Sequence, residues 1–350
     1  MVDDKSLQEA FVWNQQPELV GDCRLVLLTQ LFRFYETAIE PYDILGYGEG
    51  LCFQLDSMKL SDKVELVSVW GRNLECGLKF CKDSSIPFVK AKSNEPEIEV
   101  LDPELITIQK EKGPIIVAVD RFFLDFLKIK KAHFGYHVVM IKDFDVIHNT
   151  ADILDVMSSK VETISLQALK RGMYVKLDFA SPNGEFYYIN NNFSYKDKSV
   201  NDFKKAVLNQ ATAFLEKNGA IENMLELSRF LKKFGKKGKK SKKYQCYLEY
   251  QIPVLRSGFK EQEASGTFYR QLYLQFLKEN GKLFNMCKEM KMVLDDFERD
   301  VLLWKTIYSD RNALDGTIFQ QTEFIAERLD EIAALEKNIF FKLKEIIINA

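Results

Sequence analysis

Histidine is scarce in this chain, with three among 350 residues: His133, His137 and His148. Any site built on an imidazole must draw on those three positions. The six cysteines, Cys23, Cys52, Cys76, Cys81, Cys246 and Cys287, are scattered. No close pair faces a second pair, which excludes a zinc ribbon. No apolar run reaches the ~18 residues that a membrane-spanning helix needs. The opening Met1-Val2-Asp3-Asp4-Lys5 lacks the basic start and apolar core of an export signal, so the expectation is a cytoplasmic protein with reduced thiols. Neither sign of charge dominates: 49 Lys and Arg stand against 51 Asp and Glu. That balance excludes a protein-wide nucleic-acid surface and leaves room for a local basic patch.

What is present is an ordinary globular balance, 46% hydrophobic and 29% charged residues, long enough for one large or two medium domains. Residues 23 to 38 carry two apolar stripes at helical spacing, Leu25, Leu28, Phe32 and Tyr35 beside Leu27, Leu31 and Phe34. A helix apolar on two faces belongs at the centre of a domain. Asp22 stands where an N-cap would, which places Cys23 in the first turn. Gly46-Tyr47-Gly48-Glu49-Gly50 reads as a glycine-spaced loop that matches neither the dinucleotide nor the P-loop fingerprint. Ile115 to Val119, His137 to Ile141 and Asp152 to Val156 read as buried strands. Met173 to Phe179 and Glu185 to Ile189, flanking Ser181-Pro182-Asn183-Gly184, predict a β-hairpin.

From about residue 199 the pattern is helical. Phe203, Val207, Ala211 and Phe214 share a face, as do Phe268, Leu272 and Phe276. A long last helix spans 317 to 348 with Ile318, Ile325, Leu329, Ile332 and Ile339 inward. The expected class is α+β, with a boundary near residue 165 separating domains at 1–165 and 166–350. Eight of the twelve residues from Lys232 to Lys243 are lysine. The glycines at 235 and 238 predict a mobile cationic loop there, suited to steering an acidic partner.

Cys23 is the sharpest candidate for chemistry. The first turn of a helix favours negative charge, and the thiolate is the nucleophile. His137 begins the strand HVVMI, the place of the base in papain-like enzymes, from which an imidazole can take the thiol proton. A carboxylate at Asp155 or Asp152 could fix its tautomer and orientation. The two lie three apart on one strand and face opposite sides, so only one can serve. His133 and His148 read as surface or loop residues. A metal site on His133 and His137 is not expected, because the segment is strand-like and no Glu or Cys completes a ligand set.

The stretch GDCRLVLLTQLFRFYETAIEPYDILGYGEGLCF resembles the opening of the butirosin acyltransferase-related (BtrH-like) papain-like family. That family pairs a cysteine helix with a G-x-G-x-G-[apolar]-x-F segment, here Gly46, Gly48, Gly50, Leu51 and Phe53. PIIVAVDRFFLDF resembles its apolar strand ending in Asp and an aromatic pair, HVVMI its histidine strand, and ILD its aspartate strand, which points to Asp155. Asp155 is followed by Val156 where several relatives have Pro, which keeps Asp152 in play. Gly266 to Leu277 and Trp304 resemble its helical partner domain. The papain-like amide-forming enzymes of closthioamide assembly are similar too. The resemblance spans roughly residues 20 to 345.

It implies a papain-like catalytic domain over 1–165, an N-terminal helix plus antiparallel sheet. A hairpin-plus-helical domain over 166–350 would dock the carrier and close over the site. It also implies an acyltransferase of natural-product assembly: an acyl group leaves a carrier-protein phosphopantetheine thioester, rests on Cys23, and passes to a small amine. The thioester is already activated, so neither ATP nor a cofactor of the enzyme's own is needed. A cysteine peptidase or thioesterase on the same triad is the alternative. Papain-like enzymes draw an oxyanion donor from a Gln a few residues before the Cys, which points to Gln16 alongside the Cys23 backbone N–H. Lys236, Lys237, Lys239 and Lys240 are the expected carrier-docking residues.

Overall fold

The computed structural model describes residues 22–349 apart from 62–63, 98–100, 128–132, 134–135, 159, 178–180, 218, 262–266, 283–287 and 311–314. In chain order the first part contains α1 (Cys23–Phe34), α2 (Pro41–Tyr47), β1 (Leu51–Ser61), β2 (Val64–Arg72), α3 (Cys76–Asp83), β3 (Phe88–Lys92), α4 (Pro103–Lys112) and β4 (Ile115–Val119). Then come β5 (His137–Asp145), β6 (Thr150–Leu154), β7 (Glu162–Ser165), α5 (Leu166–Tyr174) and β8 (Glu185–Ile189). The rest is helical: α6 (Val200–Leu215), α7 (Ala220–Gly238), α8 (Lys242–Glu261), α9 (Arg270–Gly281), α10 (Lys288–Ser309) and α11 (Ile318–Asn349). The α+β class holds, with a helical C-terminal half and antiparallel pairing throughout the described sheets.

The chain forms two compact units, and both are discontinuous. One is Met1–Pro41 with Cys81–Lys196, the other Tyr42–Phe80 with Asp197–Ala350. The boundary expected near 165 falls inside the first unit, where Ser165 closes β7 and its hydroxyl caps α5 by accepting from Ala168 N–H at 3.1 Å. Composition along the chain could not reveal that residues 42–80 leave one unit to join the other.

The first unit is a six-stranded sheet in the order β3-β8-β4-β5-β6-β7. All five residues of β4 are buried, so both of its faces are covered, as a continuous Val/Ile run demands. Ile115, Val117 and Val119 join Val139, Ile141 and Ile153 in an apolar cluster with Leu105 of α4 and Leu169 of α5. α1 packs on β4 and β5, burying every residue from Leu25 to Phe32.

Among the described residues, the hairpin expected across 173–189 does not form. Met173 belongs to α5, and β8 pairs with β3 and β4 instead. The turn itself is real: Asn183 (φ 53°) and Gly184 (φ 67°) are left-handed, and Glu185 N–H bonds the Pro182 carbonyl at 3.1 Å. An Asn-Gly turn marks the start of a strand here without naming its partner.

In the second unit the β1–β2 hairpin lies on α7 and α8. The side-chain amide of Gln251 bonds both the N–H and the carbonyl of Val67 at 2.8 and 2.7 Å, standing in for a neighbouring strand. The expected glycine loop is the end of α2 and a turn. A Cβ on Gly46 would lie 2.2 Å from the Phe276 ring, and one on Gly48 would lie 2.3 Å from the Cys76 carbonyl oxygen. These glycines permit close approach of packed elements.

The lysine run is also not a loop. It forms the last turns of α7, a short turn, and the start of α8. Gly235 and Gly238 are buried, and a Cβ on Gly238 would stand 2.8 Å from the Phe319 ring of α11. Glycine here serves packing against the final helix, which outweighs its weak helix propensity.

The centre of this unit is a buried ion pair. Arg270 grips Glu336 through Nε at 2.7 Å and a second nitrogen at 3.1 Å, and Trp304 Nε1 donates to the same carboxylate at 2.9 Å. Asp300 lies fully buried nearby. Burial, then the charge of Glu336, hold its carboxyl well above the usual range against the pull of Arg270. Both Asp300 oxygens are buried without a donor to accept from among the described residues; two ionised carboxylates cannot bond each other, whereas a protonated Asp300 can donate to Glu336. Its raised value means that stability is lost as pH climbs from the ordinary carboxylate range through the folded-state value. Asp300→Asn, whose amide donates at any pH, should match the parent only in buffer acidic enough to reach the ordinary carboxylate range. In alkaline buffer it should be about 1–3 kcal/mol more stable by urea unfolding, the cost of an unsatisfied buried group. An equal difference at both pH values would rule out the shared proton.

Candidate functional site

Cys23 opens α1, as expected from Asp22. The Asp22 carboxylate accepts from Leu25 N–H at 3.0 Å and its carbonyl from Val26 N–H at 3.0 Å, fixing the helix start one residue before the thiol. Cys23 is half-buried while the helix behind it is buried, so the thiol sits at the end that meets solvent.

His137 opens β5 opposite Val119 of β4. Its Nε2 lies 2.7 Å from Asp155 Oδ2. Asp155 follows the last residue of β6 and is fully buried, and its other oxygen accepts Met157 N–H at 2.7 Å. Both carboxylate oxygens are thus used, and one of them orients the ring. With Nε2 committed, Nδ1 is the nitrogen left to bond the Cys23 thiol.

Burial alone would lower the His137 pKa. The charges of Asp155 and Cys23, with the hydrogen bonds both make to the ring, outweigh it and raise the value from 6.5 to about 10. At neutral pH the ring is therefore held as an imidazolium beside the Asp155 carboxylate.

The approach to His137 is held by its neighbours. Tyr136 is left-handed at φ 71°, an uncommon conformation for a bulky residue. The Arg24 guanidinium lies 4.2 Å from the Tyr136 ring centroid, tying the residue after the thiol to the residue before the imidazole.

Asp152 is not brought to the histidine. It is half-buried within β6 and accepts from Thr163 Oγ1 of β7 at 2.7 Å. Gln16 lies outside the described residues, as does Cys287. Lys236, Lys237, Lys239 and Lys240 are exposed on the second unit. Cys52, whose thiol burial pushes up to about 12, sits in that unit as well. His148 is at an exposed hairpin tip, bonded to Asp145 at 2.6 Å. Among the described residues no group of three or more His, Cys, Asp and Glu could hold a metal ion.

His133 is exposed and outside any helix or strand, as expected, but it has a buried partner. Its Nδ1 lies 2.5 Å from Oδ2 of Asp120, a fully buried carboxylate just past the end of β4. The signal available in the sequence was Asp120 itself, a charged residue closing a wholly apolar strand, followed by Phe122 and Phe123. No protein-family model matches this chain, and no curated protein matches it.

Proposed function

We propose that the protein is a cysteine acyltransferase of papain-like architecture that forms amides, with Cys23 as nucleophile, His137 as its acid–base partner and Asp155 as the group that orients His137. The observation that carries this reading is the 2.7 Å contact between His137 Nε2 and the buried Asp155 carboxylate, which leaves Nδ1 for the Cys23 thiol at the head of α1. Thiolate attack on a thioester forms the Cys23 acyl-enzyme. His137 gives its proton to the departing thiol and then takes one from the incoming amine. The amide forms and Cys23 leaves as thiolate, so no ATP is consumed. The Cys23 backbone N–H and Gln16 are the oxyanion donors in this reading.

The donor in this reading is an acyl or peptidyl carrier protein and the acceptor a small amine, in the cytoplasmic assembly of a natural product. The test is intact mass. After incubation with a small soluble thioester, Cys23 should carry the acyl group, and adding an amine should remove it as the amide. Release as the free acid despite the amine would favour a cysteine peptidase or thioesterase. No adduct at all would end both readings.

The lysines of α7 and its turn suit an acidic carrier. Lys236, Lys237, Lys239 and Lys240 are all exposed, and Lys237 lies 4.9 Å from the Tyr244 ring centroid, which steadies that side of the turn. Long-range charge acts mainly on association. Replacing the four with Gln should raise KM for a carrier-bound donor several-fold and leave turnover of a small thioester unchanged. The parent KM should rise with salt, since exposed charges are screened beyond about 8–10 Å near physiological ionic strength. An unchanged KM in both experiments would remove these lysines from docking.

A further inference from the structure

The first unit carries a second imidazole–carboxylate pair at the same end of the sheet. Val119 pairs with His137, so Asp120, the next residue, sits beside the strand end that presents the candidate base. Asp155 leaves β6 at that end too, one residue past Leu154, which pairs with Met140. Asp120 is held in place: Oδ1 accepts Phe122 N–H at 3.1 Å, its own N–H bonds the Gly172 carbonyl at 2.9 Å, and Oδ2 meets His133 Nδ1. The Phe122 ring stacks on the imidazole with centroids 4.3 Å apart and planes 19° apart. The His133 side chain is 45% exposed, so a buried carboxylate and an aromatic face orient a ring that solvent can reach.

A neutral ring that turns Nδ1–H to Asp120 keeps its lone pair on Nε2. This is the arrangement of a working base, and the mechanism above leaves it unused. We propose that Asp120 and His133 form a second base that takes the proton of the acceptor ammonium, an inference that rests on the amide-forming reading.

Proton counting gives the reason for two bases. Hydrolysis of an acyl-enzyme by water needs one general base. An alkylamine arrives as R–NH₃⁺ and must lose one proton before its nitrogen has a lone pair, then a second after it attacks the carbonyl. The balanced step converts R′C(O)–S–Cys23 and R–NH₃⁺ into R′C(O)–NH–R, the Cys23 thiolate and two protons. His137, neutral after acylation, accepts one proton and restores the ion pair. His133 Nε2 takes the other and gives it to solvent.

The test separates the half-reactions in the full chain, with the N-acetylcysteamine thioester of hexanoate as donor. His133→Gln should form the Cys23 acyl-enzyme at the parent rate. Transfer to propylamine should slow on the order of 10²-fold, as for loss of a general base. Transfer to methoxyamine, which arrives neutral, should keep the parent rate. Asp120→Asn, which preserves the bond from Phe122 N–H, should show the same selectivity more weakly. Equal losses for both amines would mark His133 as structural, and no loss for either would leave it without a role; both results overturn the second base and spare the Cys23 reading. If the parent protein takes no acyl group at Cys23, that reading falls and this inference with it.

Discussion

Cys23→Ala is expected to abolish the acyl-enzyme and with it all amide formation, leaving a protein that folds as the parent does. Cys23 is half-buried at the head of α1, and the helix is held by Asp22 and by the buried face from Leu25 to Phe32, none of which the change touches. Removing a nucleophile whose partners have no other route to a covalent intermediate should lower turnover by a factor on the order of 10³ or more, to whatever binding and oxyanion contacts alone provide. Cys52, Cys76, Cys81 and Cys246 should each tolerate Ala with activity intact. Cys76 and Cys81 are buried, and the Cys52 thiol is held protonated. Intact mass after thioester treatment reads the first result, and single-turnover amide formation reads the second. A Cys23→Ala protein that still makes amide at the parent rate would remove the covalent route.

The site was more legible in the sequence than the architecture around it, and local rules explain the difference. An N-cap Asp followed by Cys, and a His opening an apolar run, are signals confined to a few residues, and they place Cys23 at the start of α1 and His137 at the start of β5. The choice between Asp152 and Asp155 depended on where β6 ends, which only pairing with β5 and β7 decides. The lysine run misled because glycine signals both mobility and close packing. Gly238 faces Phe319, which lies 81 residues further on by the numbering. The hairpin across 173–189 failed for the same reason: a turn motif is local, while the partners of β8 are Phe88 to Lys92 and β4. The second imidazole–carboxylate pair stayed hidden because His133 and Asp120 are separated by residues with no shared periodicity.

His137→Ala should cost at least as much as losing any one member of an interdependent triad, on the order of 10³-fold in rate. Asp155→Asn should cost less but still heavily, because Asn can keep a bond to the ring while losing the charge that favours the imidazolium. Asp152→Asn should be close to neutral, since Asp152 bonds Thr163 rather than the ring. The same electrostatics can be read without activity. Asp155 and Cys23 together raise His137 to about 10 against the effect of burial, so the imidazole should titrate near that value in the parent by NMR. Cys23→Ala and Asp155→Asn should each move the midpoint down, with the larger drop for Asp155, whose charge is the larger influence. The sign for stability follows. A histidine raised on folding contributes fully below 6.5, and the contribution is lost as pH rises through about 10. The parent should therefore lose more stability than Asp155→Asn between neutral and strongly alkaline buffer. If Asp152→Asn were the crippled variant, or if the His137 midpoint failed to move in Asp155→Asn, the carboxylate that orients the base would have to be sought elsewhere than at the end of β6.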